Sequence, residues 1–301
     1  MTNSVPAKPY MGIASSHPLK ITRACTAVIG SSSAGEELIV KATMKAVLKR
    51  TPLYAIYREV QRWNERRNFW KWTDDDDKRA TFYRQFIRPG DLVFDIGANL
   101  GNRTKVFHQL GARVVAFEPQ RKCFEFLKSM FHGISTVQIV RHALGRSPST
   151  GELCCGQNHT IASLSQNWIA AVKDSRRFGT HEWASRESIE ITTLDCVIAD
   201  MGPPRFIKID VEGYEFEVLS GLSTPIDCLS VEFTPEYIEN THKCLDHMAS
   251  LSAIEANLSL GESSQLGDLW LSAQEMKNLL NCQDRAAWGD VYIRRINDNR
   301  R

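Results

Sequence analysis

From residue 91 onward the apolar positions fall into short runs separated by amphipathic stretches. Asp91–Ile96 reads as a buried strand, Asn102–Leu110 as a helix ended by Gly111, and Arg113–Phe117 as a second strand. Arg121–Phe131 follows as a helix and Val137–Val140 as a third strand. Further on, Phe206–Ile209 is a short apolar strand, a helix runs through Glu215–Leu219, and Leu229–Phe233 and Trp288–Arg294 read as later strands. Apolar runs this short, bounded by turn residues, suit strands buried on both faces better than helices. Strands alternating with helices predict a mostly parallel sheet, joined by right-handed crossovers and covered by helices on both faces, a three-layer αβα arrangement. Residues 145–200 break the rhythm with turn-rich sequence and hairpin strands, the clearest at Glu190–Thr193.

The chain before this region is different. Residues 1–40, rich in Ser, Ala, Thr and Pro, read as a flexible leader. Residues 41–78 read as a basic helical extension, in which Pro52 separates one or two short amphipathic helices. The acidic run Asp74–Asp77 can open the next helix, because carboxylates favour a helix N-terminus. That helix carries Phe82, Tyr83 and Phe86 and stops before Pro89-Gly90, so residues 79–301 form the α/β domain. Charge divides the same way: residues 1–72 carry +8 and the remainder −6. A basic arm holding Trp63, Phe69, Trp70 and Trp72 suggests weak contact with an anionic membrane surface through residues 41–72, or packing through those aromatics. No apolar run approaches the ~20 residues of a membrane span. Residues 1–18 lack a charged region followed by an apolar one, and none of the eight cysteines forms a C-x-x-C pair. Reduced thiols and a cytoplasmic location are expected.

Candidate chemistry lies at strand ends. Asp95-Ile96-Gly97-Ala98-Asn99-Leu100-Gly101-Asn102 follows the first strand and opens a helix. In an open parallel sheet, ligands sit at the carboxyl ends of the strands. Gly97 and Gly101 allow a tight bend and close approach of backbone to ligand. The pattern D-x-G-x-x-x-G places an acid where a pyrophosphate fingerprint has its first glycine, which favours a ligand with a cationic amino-acid end. Glu118-Pro119 ends the second strand, 23 residues after Asp95. An acid so placed can accept hydrogen bonds from both ribose hydroxyls. Arg141-His142-Ala143-Leu144-Gly145 ends the third strand and can border an adenine. In Phe206-Ile-Lys208-Ile-Asp210-Val-Glu212-Gly213, charged and apolar residues alternate, so Lys208, Asp210 and Glu212 share a face if the strand continues. Glu232 ends the neighbouring strand, within reach of Asp210.

Together these residues resemble the FkbM family of methyltransferases. The resemblance lies in Phe94–Gly101, Val115–Pro119, Ala143–Gly145, Thr193-Leu-Asp195, Lys208–Gly213 and the late Gly289–Arg294, and spans about residues 80–296. It implies a Rossmann-like class I methyltransferase fold with a seven-stranded sheet, S-adenosyl-L-methionine as cofactor, and an oxygen as acceptor. Asp95, Gly97, Asn99, Gly101 and Glu118 match the family's cofactor positions, with Ala98, Pro119 and Ala143 beside them. Asp210 and Glu212 match its fourth-strand motif, with Asp210 touching the cofactor as well. The chain departs from many relatives at Asn102-Arg103, where they carry an aromatic, and in an insertion around residues 165–188.

Methyl transfer from a sulfonium needs little beyond positioning of the acceptor and removal of its proton. Asp210, Glu212 and Glu232 are the expected bases or orienting groups, with Lys208 and His159 behind them. Two close carboxylates raise one pKa, which suits a base, or hold a divalent metal; no metal is expected, and the histidines show no H-x-x-x-H spacing. The expected function is O-methylation of a hydroxyl on a sugar, natural-product or glycan acceptor. The alternatives are a nicotinamide dehydrogenase, disfavoured by the missing G-x-G-x-x-G, a non-catalytic cofactor-binding protein, and a methyltransferase acting on a macromolecule.

Overall fold

The computed structural model describes residues 52–156, 162–175, 185–284 and 286–296. The leader, the first part of the basic extension and His159 lie outside them. The described residues divide into two compact units, 52–71 and 72–296.

The first unit is the helix α1, Pro52–Phe69, which starts on a proline suited to the first helical turn. Arg62 pairs with Glu59 at 3.2 Å, and the Arg67 guanidinium lies 5.6 Å from the exposed ring of Trp63.

The second unit opens with α2, Asp74–Tyr83. The acidic run starts this helix through a reciprocal cap: the Thr73 hydroxyl accepts from Asp76 N at 3.3 Å, and the Asp76 carboxylate accepts from Thr73 N at 2.9 Å. The strands and helices then alternate: β1 Leu92–Ile96, α3 Asn102–Gln109, β2 Arg113–Phe117, α4 Arg121–Met130 and β3 Val137–Val140. An inserted group follows: β4 Ala143–Leu144, β5 Ser149–Cys155, β6 Ala162–Ser163, α5 Gln166–Ser175 and β7 Ser185–Thr192. The main alternation resumes with α6 Leu194–Met201, β8 Phe206–Ile209, α7 Glu215–Leu219, β9 Cys228–Phe233, α8 Ile238–Leu251, β10 Ile254–Leu260, α9 Ala273–Asn281 and β11 Gly289–Arg295.

Seven strands form one sheet in the order β10-β11-β9-β8-β1-β2-β3. The pairs among β9, β8, β1, β2 and β3 are parallel, and β11 runs antiparallel between β9 and β10. This is the mostly parallel Rossmann-like sheet expected. Strand order reverses direction of growth at β1 and β8, where open α/β sheets leave a crevice for ligand. The inserted strands make a separate four-stranded sheet, β4-β7-β5-β6.

The two faces of the main sheet are filled differently. Phe94, Ile96, Ile207, Ile209, Leu229 and Val231 belong to an aliphatic core on one face, under helices that include α8 and α9. On the other, an aromatic group joins α2 and α3 to the sheet. Tyr83 meets Phe107 edge-on at 4.8 Å, while Phe86 stacks between Phe206 at 5.4 Å and Tyr292 at 5.2 Å. These ring contacts explain why α2, which ends at Tyr83, and the turn after it that carries Phe86 belong to the second unit.

Candidate active site

The loop after β1 is bent by left-handed backbone at Gly97, Asn99 and Gly101. Gly97 leaves no room for a side chain, since a Cβ there would fall 1.9 Å from the carbonyl oxygen of Asp210. The first turn after β1 thus rests on the backbone leaving β8. Gly97 N and Ala98 N both donate to Phe117 O, at 2.9 and 3.0 Å, which ties the loop to the end of β2. Glu118 completes the tie, accepting from Asn99 N at 2.7 Å and from Gln120 N at 2.8 Å. Burial pushes the Glu118 carboxyl up to about 7, against the opposing pull of those two N–H groups.

Asp95, also buried, accepts a 2.5 Å bond from the Thr104 hydroxyl of α3, and burial raises its pKa. It therefore braces the first turn of the helix that the loop opens. The carbonyl of Pro119 accepts from Arg141 Nε at 3.3 Å, and Arg141 also reaches Glu187 of β7 at 3.1 Å. Ala143 lies in β4, its methyl packed with Leu153, Cys155 and Ile189.

Opposite the loop stands an acidic cluster. Asp210, Glu212 and Glu232 each bring a carboxylate oxygen within 4.8 Å of the other two, a set that could hold a shared proton or a divalent cation. The chain leaves β8 at Ile209, and a left-handed residue at Glu212 (φ 53°) turns the backbone across the sheet edge. Beneath the cluster, Lys208 is wholly buried and donates to Asp290 at 2.8 Å, with Asp210 at 3.4 Å. Burial alone would lower the Lys208 pKa, but the Asp210 and Asp290 charges outweigh it and hold the ammonium protonated.

Residues that the sequence reading left without a role hold this geometry. Glu215 accepts from Val211 N at 3.2 Å, Gly213 N at 3.0 Å and Asn240 Nδ2 at 2.7 Å, and so pins both sides of Glu212. Burial first, and the nearby Glu232 charge, push Glu215 up to about 8. The insertion contributes as well. The Ser163 hydroxyl donates to Glu212 O at 2.7 Å, and the Trp168 side chain lies so close to Gly213 (φ 86°) that a Cβ there would fall 2.3 Å from it. A signal for Glu215 was available, since it is an acid at the start of the helix read through Glu215–Leu219, where a carboxylate is favoured. Nothing in the spacing pointed to Ser163 or Trp168.

The matched family is described as the Methyltransferase FkbM domain, and the match covers residues 95–260. A hexuronic acid methyltransferase of Haloferax volcanii, AglP, is 29% identical over 145 residues, which are 46% of this chain and 53% of that protein. The chain therefore spans about half the length of that relative. Among solved structures, a SAM-dependent O-methyltransferase from Thermotoga maritima is 11% identical with a TM-score of 0.37, covering 75% of this chain and 66% of that one. A precorrin-6y C5,15-methyltransferase from Geobacter metallireducens is 10% identical with a TM-score of 0.37, covering 71% and 84%.

Proposed function

The chain belongs to the FkbM methyltransferase family, and from that premise we propose that it is an S-adenosylmethionine-dependent O-methyltransferase acting on a sugar, natural-product or glycan hydroxyl. The observation that carries this reading is the contact between the two halves of the site: the glycine loop and the base of the acidic cluster touch at Gly97 and Asp210. A cofactor lying along the loop would present its reactive end to that cluster.

The residues fit the cofactor. The loop's left-handed turns leave its backbone bent around the end of β1, and Glu118 stands at the end of β2 where a ribose would lie. Asp95, Gly97, Ala98, Asn99, Gly101, Glu118, Pro119, Ala143 and Asp210 are the residues proposed to hold it. When bound, S-adenosylmethionine supplies a methyl group on a sulfonium, an already activated leaving group, so the protein needs no acid catalyst. Asp210 is the proposed base, taking the proton of the acceptor hydroxyl as the new oxygen–carbon bond forms. Glu212 and Glu232 orient that hydroxyl. Lys208 is buried and positively charged, so its part is to fix the Asp210 carboxylate through their 3.4 Å ion pair. The relative from Haloferax, which methylates a hexuronic acid by its name, supports a sugar acceptor.

The test is a transfer assay with S-adenosylmethionine labelled in its methyl group, run against sugars, sugar acids, glycans, protein and nucleic acid. Label on a sugar oxygen is expected. Label confined to nucleic acid or protein would overturn the reading.

A further inference from the structure

The acidic cluster creates a problem for any anionic acceptor, because the carboxylates of Asp210, Glu212 and Glu232 would repel it. The structure supplies a cation, Arg103, near enough to Asp210 for their charges to interact. Arg103, in the first turn of α3 straight after the glycine loop, directs Nη2 at both carboxylate oxygens of Glu262, at 3.1 and 3.2 Å. Arg79 of α2 adds a contact to the same carboxylate at 3.4 Å. The Nε of Arg103 is buried with no hydrogen-bond partner, which leaves one donor of the fork unused. Glu262 lies two residues beyond the end of β10 and its side chain is about a third exposed, at 36%. Strands β9 and β10 both run antiparallel to β11, so they are parallel to each other and β10 ends on the same sheet edge as β1, β8 and β9.

We propose that Arg103 and Arg79 form a carboxylate-recognition site for the acceptor, and that Glu262 occupies it as an internal stand-in that an incoming sugar acid displaces. The inference rests on the O-methyltransferase reading and deepens it to an acceptor that carries a carboxylate. A carboxylate already sits against Nη2 of Arg103 through both its oxygens, so the position suits one. The methionine end of the cofactor carries a carboxylate too and is the second source of the same chemistry. The Arg103→Gln arm of the experiment separates the two sources: loss of a contact to the methionine carboxylate would weaken cofactor binding, and loss of a contact to the acceptor would not.

The experiment is calorimetric binding of methyl glucuronoside and methyl glucoside to the full chain saturated with S-adenosylhomocysteine, in wild type, Arg103→Gln and Glu262→Gln. The glucuronoside should bind at least about tenfold more tightly than the glucoside, the scale of a charge-assisted fork. Arg103→Gln should erase that preference while leaving affinity for S-adenosylhomocysteine unchanged. Glu262→Gln should tighten glucuronoside binding several-fold, and it carries the test if Arg103→Gln does not fold. The proposal is overturned if the two glycosides bind alike or not at all, if neither variant moves the preference, or if Arg103→Gln weakens cofactor binding and nothing else. Failure of wild type to bind S-adenosylhomocysteine in the loading step would instead count against the methyltransferase reading itself.

Discussion

Lys105 and Asp76 form a 2.7 Å ion pair buried on both sides, linking the helix after the glycine loop to the helix that opens the catalytic unit. Removing one partner leaves the other charge buried and unpaired, which costs about 3–5 kcal/mol. Lys105→Met is expected to lower unfolding free energy by that amount in urea titrations. A loss under 1 kcal/mol, the scale of a surface pair, would mean that water reaches Asp76.

Asp210→Asn keeps size and removes basicity. Turnover should fall at least a hundredfold, about the smallest contribution of a general base, far more than affinity for S-adenosylhomocysteine falls. Full activity in the variant would move the base to Glu212 or Glu232.

Cofactor affinity should depend on pH through Glu118. Its carboxyl is raised from 4.5 to about 7 in the free chain, whereas ribose hydroxyls donate best to the ionised form. The ligand therefore favours proton release, and binding should tighten by about tenfold between pH 6 and pH 8. The sign for folding is opposite: the native chain holds this proton to higher pH than the unfolded chain, so the Glu118 contribution to stability falls as pH rises from 4.5 toward 7. Glu118→Gln should flatten the affinity profile, and an unchanged slope would place the titrating group elsewhere.

Much of this architecture was legible because the central strands are buried on both faces and read as apolar runs. The strands at Leu92–Ile96, Arg113–Phe117, Val137–Val140 and Phe206–Ile209 lie within a residue of their expected bounds. What escaped was made of other signals. Ile254–Leu260 carries Asn257 and Ser259 in its interior, and Asn257 is buried because it bonds Gly267 through both its oxygen and its nitrogen. A strand that uses polar side chains to hold a neighbouring loop shows little apolar alternation. The helix Ala273–Asn281 went unread although Ser272 and Glu275 have the spacing of the reciprocal cap that opens it. At the site, charged strand ends marked Asp210, Glu212 and Glu232, and the structure brings their carboxylates together. The Arg103–Glu262 ion pair joins residues 159 positions apart, and no local spacing encodes it.

The basic arm has a separate test. The compact catalytic unit takes in Trp72, whose ring lies 5.6 Å from Lys105 and whose indole N–H donates to Asp77 at 2.7 Å. Deleting residues 1–71 should therefore leave affinity for S-adenosylhomocysteine unchanged. If the arm contacts an anionic surface, the full chain should sediment with vesicles rich in phosphatidylserine at low salt and the truncated chain should not. Equal sedimentation of both would refute that role.

The account rests most directly on cofactor binding, and titration of the full chain with S-adenosylhomocysteine in a calorimeter measures it. A saturable one-to-one isotherm is expected, weakened by about 1–3 kcal/mol in Glu118→Ala, the scale for hydrogen bonds to a charged group. No heat of binding from a chain that melts cooperatively would contradict the account.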